Sequence, residues 1–387
     1  MKYHLNSAIL NTEVQQYIHA NLNSDLHALL LKKSPFEGVS MQEIAQQVKG
    51  RKVAQKKFPF LLKEGIVFPP GLNLEQASSE STAMWKAQEL EGKTFADLTS
   101  GFGIDAYFLS EKFEEVVLIE QNPGLLEIVQ HNWETLGRKA RFINRNLQDF
   151  ISENHSRFDV VYLDPARRDD ALHKKFLLED LSPNLLEIWK DLSAISNQIM
   201  VKLSPLIDIS YLISVIPGIT EIDIIAVRND VKELILKAGK ASEANGLRIR
   251  CVNLETHEPE FLFNYDAEKT ASAAYSNVQN FLYIPNNAVL KAGAFQTLAA
   301  AFNLQKLHPN THFYTSDEKL TTFPGRILEV EAIEAREIRS GEKFNIISKN
   351  HPLTPDQIRK KYKISDGGNR YLIFTQTQSG KIILKSK

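Results

Sequence analysis

Three short stretches carry residue types able to do chemistry. DLTSGFGIDA puts Asp97 before a turn holding Gly101 and Gly103, VVLIE closes on Glu120, and LDPARRD sets Asp164, Pro165, Arg167 and Arg168 behind an apolar run. Glycines in such a turn let the backbone approach a ligand where a β-carbon would collide. An acid about 20 residues further on can accept hydrogen bonds from both hydroxyls of a ribose. Asp97 would repel a pyrophosphate, whereas it suits a cationic group such as an amino-acid ammonium. Asp164 followed by Pro165 leaves carbonyl and carboxylate oxygens without a competing backbone donor, free to face an incoming amine. An exocyclic base nitrogen is a poor nucleophile because its lone pair is delocalised, so two acceptors on its hydrogens that orient it contribute largely by positioning.

These residues need a scaffold, and the apolar patterning supplies one. From 94 to 240 short buried runs (TFADL, VVLIE, ARFIN, FDVVYLD, QIMVKL) alternate with amphipathic helices, which predicts a parallel sheet with crossover helices. Ala106, Leu109, Ser110 and Phe113 fall on one helical face, as do Leu181, Leu185, Leu186, Trp189 and Leu192. EIDIIAV and VKELILKAG, joined by Arg228, Asn229 and Asp230, predict an antiparallel hairpin after the fifth run. Before the sheet, LHALLLKK and MQEIAQQV read as helices, the second capped by Ser40, until Pro69, Pro70 and Gly71 interrupt them. At the far end the expected order is strand FNIIS, helix TPDQIRKKY with Thr354 as cap and Pro355 in its first turn, then strands RYLIFTQ and KIILK.

DLTSGFGID, Glu120 and DPARR together resemble class I S-adenosylmethionine-dependent methyltransferases, and DPAR is similar to the D/N-P-P-x motif of amino-group RNA and DNA methylases, with Ala166 in place of the second proline and Arg167 in place of an aromatic residue. The resemblance implies cofactor contacts at Asp97, Thr99, Gly101, Gly103, Asp105, Glu120, Gln121, Asn146, Leu147 and Asp164, catalytic roles for Asp164, Pro165 and Arg167, and S-adenosyl-L-methionine as cofactor. Asn146 stands where an acid is commoner, with Asp149 nearby, and LEQASSESTAMWKA at 74–87 resembles a helix that closes over the cofactor. Over its whole length the chain resembles bacterial methyltransferases with a ferredoxin-like domain and a C-terminal THUMP-like domain, the latter on NHPLTPDQIRKKYKISDGGNRYLIFT. The resemblance implies an α/β fold: a Rossmann-like methyltransferase sheet at 91–240, an N-terminal helical region at 1–90, and C-terminal α+β domains at 245–320 (ferredoxin-like) and 321–387 (basic, THUMP-like), with GKASEANGL as a linker. It also implies RNA as partner, because THUMP domains belong to RNA-modifying enzymes.

Charge supports that partner. The chain as a whole carries −1, but from Lys343 onward ten Lys or Arg face two Asp, a net +8 suited to a phosphate backbone. Arg167 and Arg168 near the site, and Arg359, Lys360 and Lys361 in the last helix, are the expected substrate contacts, and GRKVAQKKFPFLLK at 50–63 is a second basic run. With one cysteine, Cys251, neither a disulfide within the chain nor a thiolate zinc cluster can form, and ten histidines include no paired metal spacing, so no metal is expected. No stretch has the run of about 20 apolar residues that spans a bilayer, so a soluble cytoplasmic protein without a membrane partner is expected. Ser204 lacks a nucleophile-elbow context, and Lys202, which ends the fifth run and is placed to reach a phosphate or the active site, reads rather as a surface lysine at a strand end. None of these patterns encodes an oligomeric state. Two other readings stay open: a non-catalytic RNA-binding protein retaining the fold, and a nicotinamide-dependent oxidoreductase, since GFGIDA also satisfies G-x-G-x-x-A.

Overall fold

A computed structural model describes residues 4–69, 74, 77–167, 177–239 and 246–387. The chain forms two compact units: one holds the residues up to Ile219 and the end of a strand from Ile235, the other Thr220–Leu234 and the remainder.

The first unit starts with α1 (Thr12–Ala20), α2 (Leu26–Leu30), α3 (Met41–Lys57) and α4 (Glu80–Ala87). Ser40 and Glu43 form a reciprocal capping box at the start of α3, satisfying two donors that a helix N-terminus leaves orphaned. The helix expected over 74–87 begins only at Glu80, capped by Ser79, and residues 75 and 76 lie outside the described ones.

Next come β1 (Gly92–Asp97), α5 (Ile104–Leu109), β2 (Phe113–Glu120), α6 (Pro123–Thr135), β3 (Arg141–Asn144), α7 (Leu147–Glu153), β4 (Phe158–Leu163), the short β5 (Ala166–Arg167) and β6 (Leu181–Ser182), α8 (Leu185–Ile195), β7 (Ser196–Leu203) and α9 (Ile209–Val215). The N-terminal helical region is fastened to α5 and α6: Val67 and the buried Asn132 exchange two hydrogen bonds of 2.9 and 2.8 Å, and Phe60 stacks on Tyr107 at 4.8 Å. The five long strands run parallel in the order β3-β2-β1-β4-β7. Phe95, Leu118, Val161 and Met200 are buried in them because helices cover both faces. Strand order reverses between β1 and β4, the place where an open α/β sheet forms a ligand crevice beyond its carboxyl ends. Two expected helical faces are shorter than their patterns: α5 stops at Leu109, so Phe113 opens β2, and Leu181 sits in β6, ahead of α8.

β8 (Ile219–Val227) and β9 (Asp230–Gly239) are neighbours joined by Arg228 and Asn229, both left-handed at φ 49° and 69°, the two-residue turn that matches strand twist. The end of β9, from Ile235, lies beside β7 in the first unit. In the second unit, β10 (Arg248–Leu254) runs parallel to β8 and β11 (Phe261–Asn264) antiparallel to β10. Residues 240–245, most of the expected linker, are outside the described residues.

The rest of the second unit comprises α10 (Ala267–Thr270), β12 (Phe281–Pro285), α11 (Asn287–Ala292), α12 (Phe295–Ala301), β13 (Gln305–His308), β14 (Thr311–Ser316), β15 (Gly325–Ile333), β16 (Lys343–Ser348), α13 (Pro355–Tyr362), β17 (Ser365–Thr377) and β18 (Gly380–Ser386). Seven strands form one sheet, β13-β14-β12-β15-β18-β17-β16. Leu282, Phe313, Ile373 and Leu384 make one core beneath it, while Phe344, Ile358 and Phe374 pack α13 against it. Thr354 caps α13 with Gln357 as reciprocal partner, Pro355 opens it, and β17 and β18 turn at Gln378 and Ser379, in line with the sequence pattern. Among the described residues no helix is long and apolar enough to cross a membrane, and no three His, Cys, Asp or Glu are grouped to hold a metal ion.

Candidate functional site

A cleft of about 830 Å³ lies over the carboxyl ends of β1, β2, β4 and β7 and is lined by Asp97, Thr99, Ser100, Gly101, Gly103, Asp105, Glu120, Gln121, Leu147, Asp164 and Lys202 among others. Its floor is the turn after β1. Ser100 N donates to Ile119 O at 3.0 Å and Gly103 N to Ser100 O at 2.7 Å, which anchors the turn to β2. Gly101 and Gly103 hold φ of 50° and 72°. A β-carbon on Gly103 would stand 2.9 Å from Trp133 Nε1 and 3.0 Å from Val129 Cγ1, so a glycine there lets α6 pack close under the turn.

Glu120 Oε2 accepts from Gly101 N at 3.1 Å and Oε1 from Asn122 N at 2.8 Å, fixing the carboxylate at the cleft edge. Burial raises its pKa above the usual carboxylate value, against these backbone donors. Asp97 Oδ1 accepts from Thr99 N at 3.0 Å, and Thr99 Oγ1 accepts from Asp164 N at 2.7 Å, so one threonine joins the ends of β1 and β4. Burial, with like charge from Asp105 and Asp164, pushes the Asp97 carboxyl well above its ordinary range. Enclosure also raises Asp164, with Lys202 pulling the other way.

Lys202 requires a correction. It is no surface lysine: it is 8% exposed, stands 2.5 Å from Asp164 Oδ2 and 3.3 Å from Asp105 Oδ2, and donates to Ser78 Oγ at 3.2 Å. Strand β7 is central and covered on both faces, so its last side chains point into the protein or the cleft. Asp105 is the hub beneath it. Lys86 of α4 pairs with its Oδ1 at 2.7 Å, and Ser78 Oγ and Tyr162 OH each donate to its Oδ2 at 2.9 Å. Burial alone would raise the Asp105 carboxyl, but Lys86 and Lys202 outweigh that and hold it far below the usual range. Neither lysine stood among the expected site residues. Their signal was positional: Lys86 shares a buried helix face with Thr82 and Ala83, and Lys202 sits between the buried Val201 and Leu203.

The other expected residues divide. Thr99, Gln121 and Leu147 line the cleft. The Asn146 side chain instead caps α7, accepting from Asp149 N at 2.8 Å, and it also donates to the Asp149 carboxylate, so the two are tied to each other at the helix start and are not among the residues lining the cleft. Pro165 is buried behind Asp164, the Arg167 backbone pairs with Leu181, and the Arg167 side chain and all of Arg168 lie outside the described residues. Arg359, Lys360 and Lys361 are on α13 of the second unit, where Arg359 pairs with Asp356 and the two lysines are exposed. In the basic run at 50–63, Arg51, Lys52 and Lys57 are engaged with Gln15, Ser24 and Ala77, leaving Lys56 and Lys63 exposed.

The cleft has the donors and acceptors for a nucleoside bearing a cationic amino-acid tail. Glu120 suits a ribose diol and Asp97 an ammonium, and the buried Ser100 Oγ, a cleft-lining hydroxyl, has no hydrogen-bond partner among the described residues.

Residues 79–187 match a family described as Conserved hypothetical protein 95, residues 281–324 a ferredoxin-like domain, and residues 326–385 a THUMP domain-like family. Ribosomal RNA small subunit methyltransferase J of Coxiella burnetii is 33% identical over 92 residues, covering 21% of this chain and 36% of that protein. An uncharacterized RNA methyltransferase of Mycoplasma mobile is 30% identical over 110 residues, covering 27% of this chain and 30% of that one. The chain therefore spans about a third of the length of these curated relatives. A crystal structure of a candidate methyltransferase from Porphyromonas gingivalis W83 matches over 100% of both chains with a TM-score of 0.86 and 26% identity. With the parallel sheet and the glycine turn, the first unit has the Rossmann-like methyltransferase arrangement, and the same polypeptide carries segments similar to a ferredoxin-like domain and a THUMP-like domain, as its whole-length likeness to the Porphyromonas gingivalis structure also shows.

Proposed function

We propose that this chain is an S-adenosylmethionine-dependent methyltransferase acting on RNA. The observation that carries the reading is the convergence of Glu120, Asp97 and Asp164 on one cleft around the turn that holds Gly101 and Gly103. When bound, the cofactor would supply an electrophilic methyl group on a sulfonium. Glu120 would accept hydrogen bonds from the ribose, Asp97 would face the ammonium, and Leu147 would contact the adenine. Asp164 and the Pro165 carbonyl would orient the acceptor group, with Arg167 and Arg168 near a phosphate. Standing alone, the two oxygens would suit a base amino group, the acceptor that DPAR suggests.

The RNA assignment draws on three supports. The relatives are named RNA methyltransferases, residues 326–385 match a THUMP-like domain, and the segment from Lys343 is strongly basic. In this reading 321–387 is the basic RNA-binding module, with Arg359, Lys360 and Lys361 on the backbone.

Calorimetry with S-adenosylmethionine and transfer of labelled methyl to cellular RNA test the proposal. Binding of cofactor with label in RNA is the expected result. Tight RNA binding without turnover on any RNA pool would favour a scaffold that has lost catalysis, and quenching of NADH fluorescence would favour an oxidoreductase.

A further inference from the structure

The ion pair at the acceptor position is more than orientation of a base requires. Lys86, Asp105, Lys202 and Asp164 form a chain of alternating charge, with contacts of 2.7, 3.3 and 2.5 Å. Side-chain exposure rises from 0% at Lys86 to 41% at Asp164, so the chain is most open to the cleft at the aspartate, with Lys202 and Asp105 lining it behind. Among the described residues, Asp97 on β1 and Tyr162 on β4 are further titratable groups that face it.

We propose that the acceptor at this site is a hydroxyl, the ribose 2′-hydroxyl of RNA, with Asp164 taking its proton and Lys202 holding the oxyanion that forms. This rests on the RNA methyltransferase reading and replaces its base amino group. As an amine attacks a methyl group its nitrogen turns cationic, and Lys202 beside Asp164 cancels the attraction the carboxylate would offer. A hydroxyl gives up its proton as it attacks, so its oxygen takes on alkoxide character before the new bond is complete, and a preorganised ammonium stabilises that charge. The oxygen lone pair forms the new C–O bond while the S–CH3 bond breaks with its electron pair left on sulfur, and the hydroxyl proton passes to Asp164. Lys202 faces the developing alkoxide while Asp164 becomes neutral, and once the neutral ether has formed the negative charge lost from Asp164 is matched by the positive charge lost from sulfur, with Asp105 still beside Lys202. Asp105 and Lys86 are positioning groups that hold Lys202 in place. Within an RNA chain the 2′-hydroxyl is the sugar hydroxyl left outside the phosphodiester, and it distinguishes RNA from DNA.

The test uses the full chain, labelled S-adenosylmethionine and total RNA from host cells lacking the gene, followed by digestion to nucleosides and mass spectrometry. Label on ribose, in a linkage that resists alkaline cleavage, is the expected result. Label on a base with none on ribose would overturn the hydroxyl assignment while leaving the RNA methyltransferase reading intact. Absence of label from every RNA pool would overturn the reading on which it rests.

Lys202→Ala should lower kcat about 10²–10⁴-fold with little change in KM for RNA, and Lys202→Arg should restore part of the loss. In the absence of cofactor, NMR titration of the Asp164 carboxyl should show its midpoint moving up in Lys202→Ala, and melting curves establish that each variant is folded. An unmoved midpoint, or a Lys202→Ala enzyme with wild-type kcat and pH profile, would overturn the role given to Lys202.

Discussion

Asp97 and Asp105 lie at opposite ends of the same turn and have opposite titration behaviour. Asp105 is depressed by two lysines, so its stabilisation is complete above the ordinary carboxylate range near pH ~4 and is lost as pH falls below it. Asp97 is raised by burial, so the folded protein is progressively destabilised as pH climbs from that range through the folded value. Asp97→Asn should therefore raise the melting temperature at pH 7, by about 2–4 °C for each kcal/mol relieved, and the gain should vanish below pH ~3.5. The same variant should weaken cofactor binding by calorimetry, a trade of stability against function. Glu120→Gln, which keeps the shape and removes the charge, should cost about 10–100-fold in cofactor affinity, the loss expected for charge-assisted hydrogen bonds. At this scale the sequence was only half legible. Glycines and strand-end acids announce themselves locally, whereas Lys86 and Lys202 stand far apart in the chain and meet at Asp105 only once α4 and β7 are in place.

The parallel sheet, the hairpin after it and the capped helix α13 follow from patterning because each depends on neighbours within a few residues. The misjudged boundaries, at Phe113, Leu181 and Glu80, fall where a helical spacing runs on into a strand or loop, and periodicity does not record where a backbone bends. Asn146 shows a similar limit, since an Asn at a helix start serves as a cap as readily as it binds a ligand. Two variants test the elements themselves. Gly103→Ala would need a left-handed backbone and would drive a β-carbon to 2.9 Å from Trp133 Nε1, so a loss of about 1–3 kcal/mol in chemical denaturation is expected, with weaker cofactor binding. Ser40→Ala should cost about 1 kcal/mol of stability and leave cofactor affinity unchanged.

Near neutrality for the whole chain conceals a strongly basic final segment, and the RNA partner is to be tested on that segment. Neutralising Lys360 and Lys361 to Gln should weaken RNA binding for all sequences alike, reduce the salt slope of log K by about 1 for each phosphate no longer neutralised, and leave calorimetric cofactor binding as it was. The ion pair between Lys86 and Asp105 bears on how this protein can be divided. Sequence patterning places a boundary near residue 90, yet a fragment begun at Gly92 would leave Asp105 buried with one of its two lysines gone. Breaking a buried pair costs about 3–5 kcal/mol, a large part of the roughly 5–15 kcal/mol that keeps a domain folded. A minimal soluble fragment must therefore begin upstream of Ser78, and recombination between relatives would need to carry α4 and the glycine turn as one inherited block.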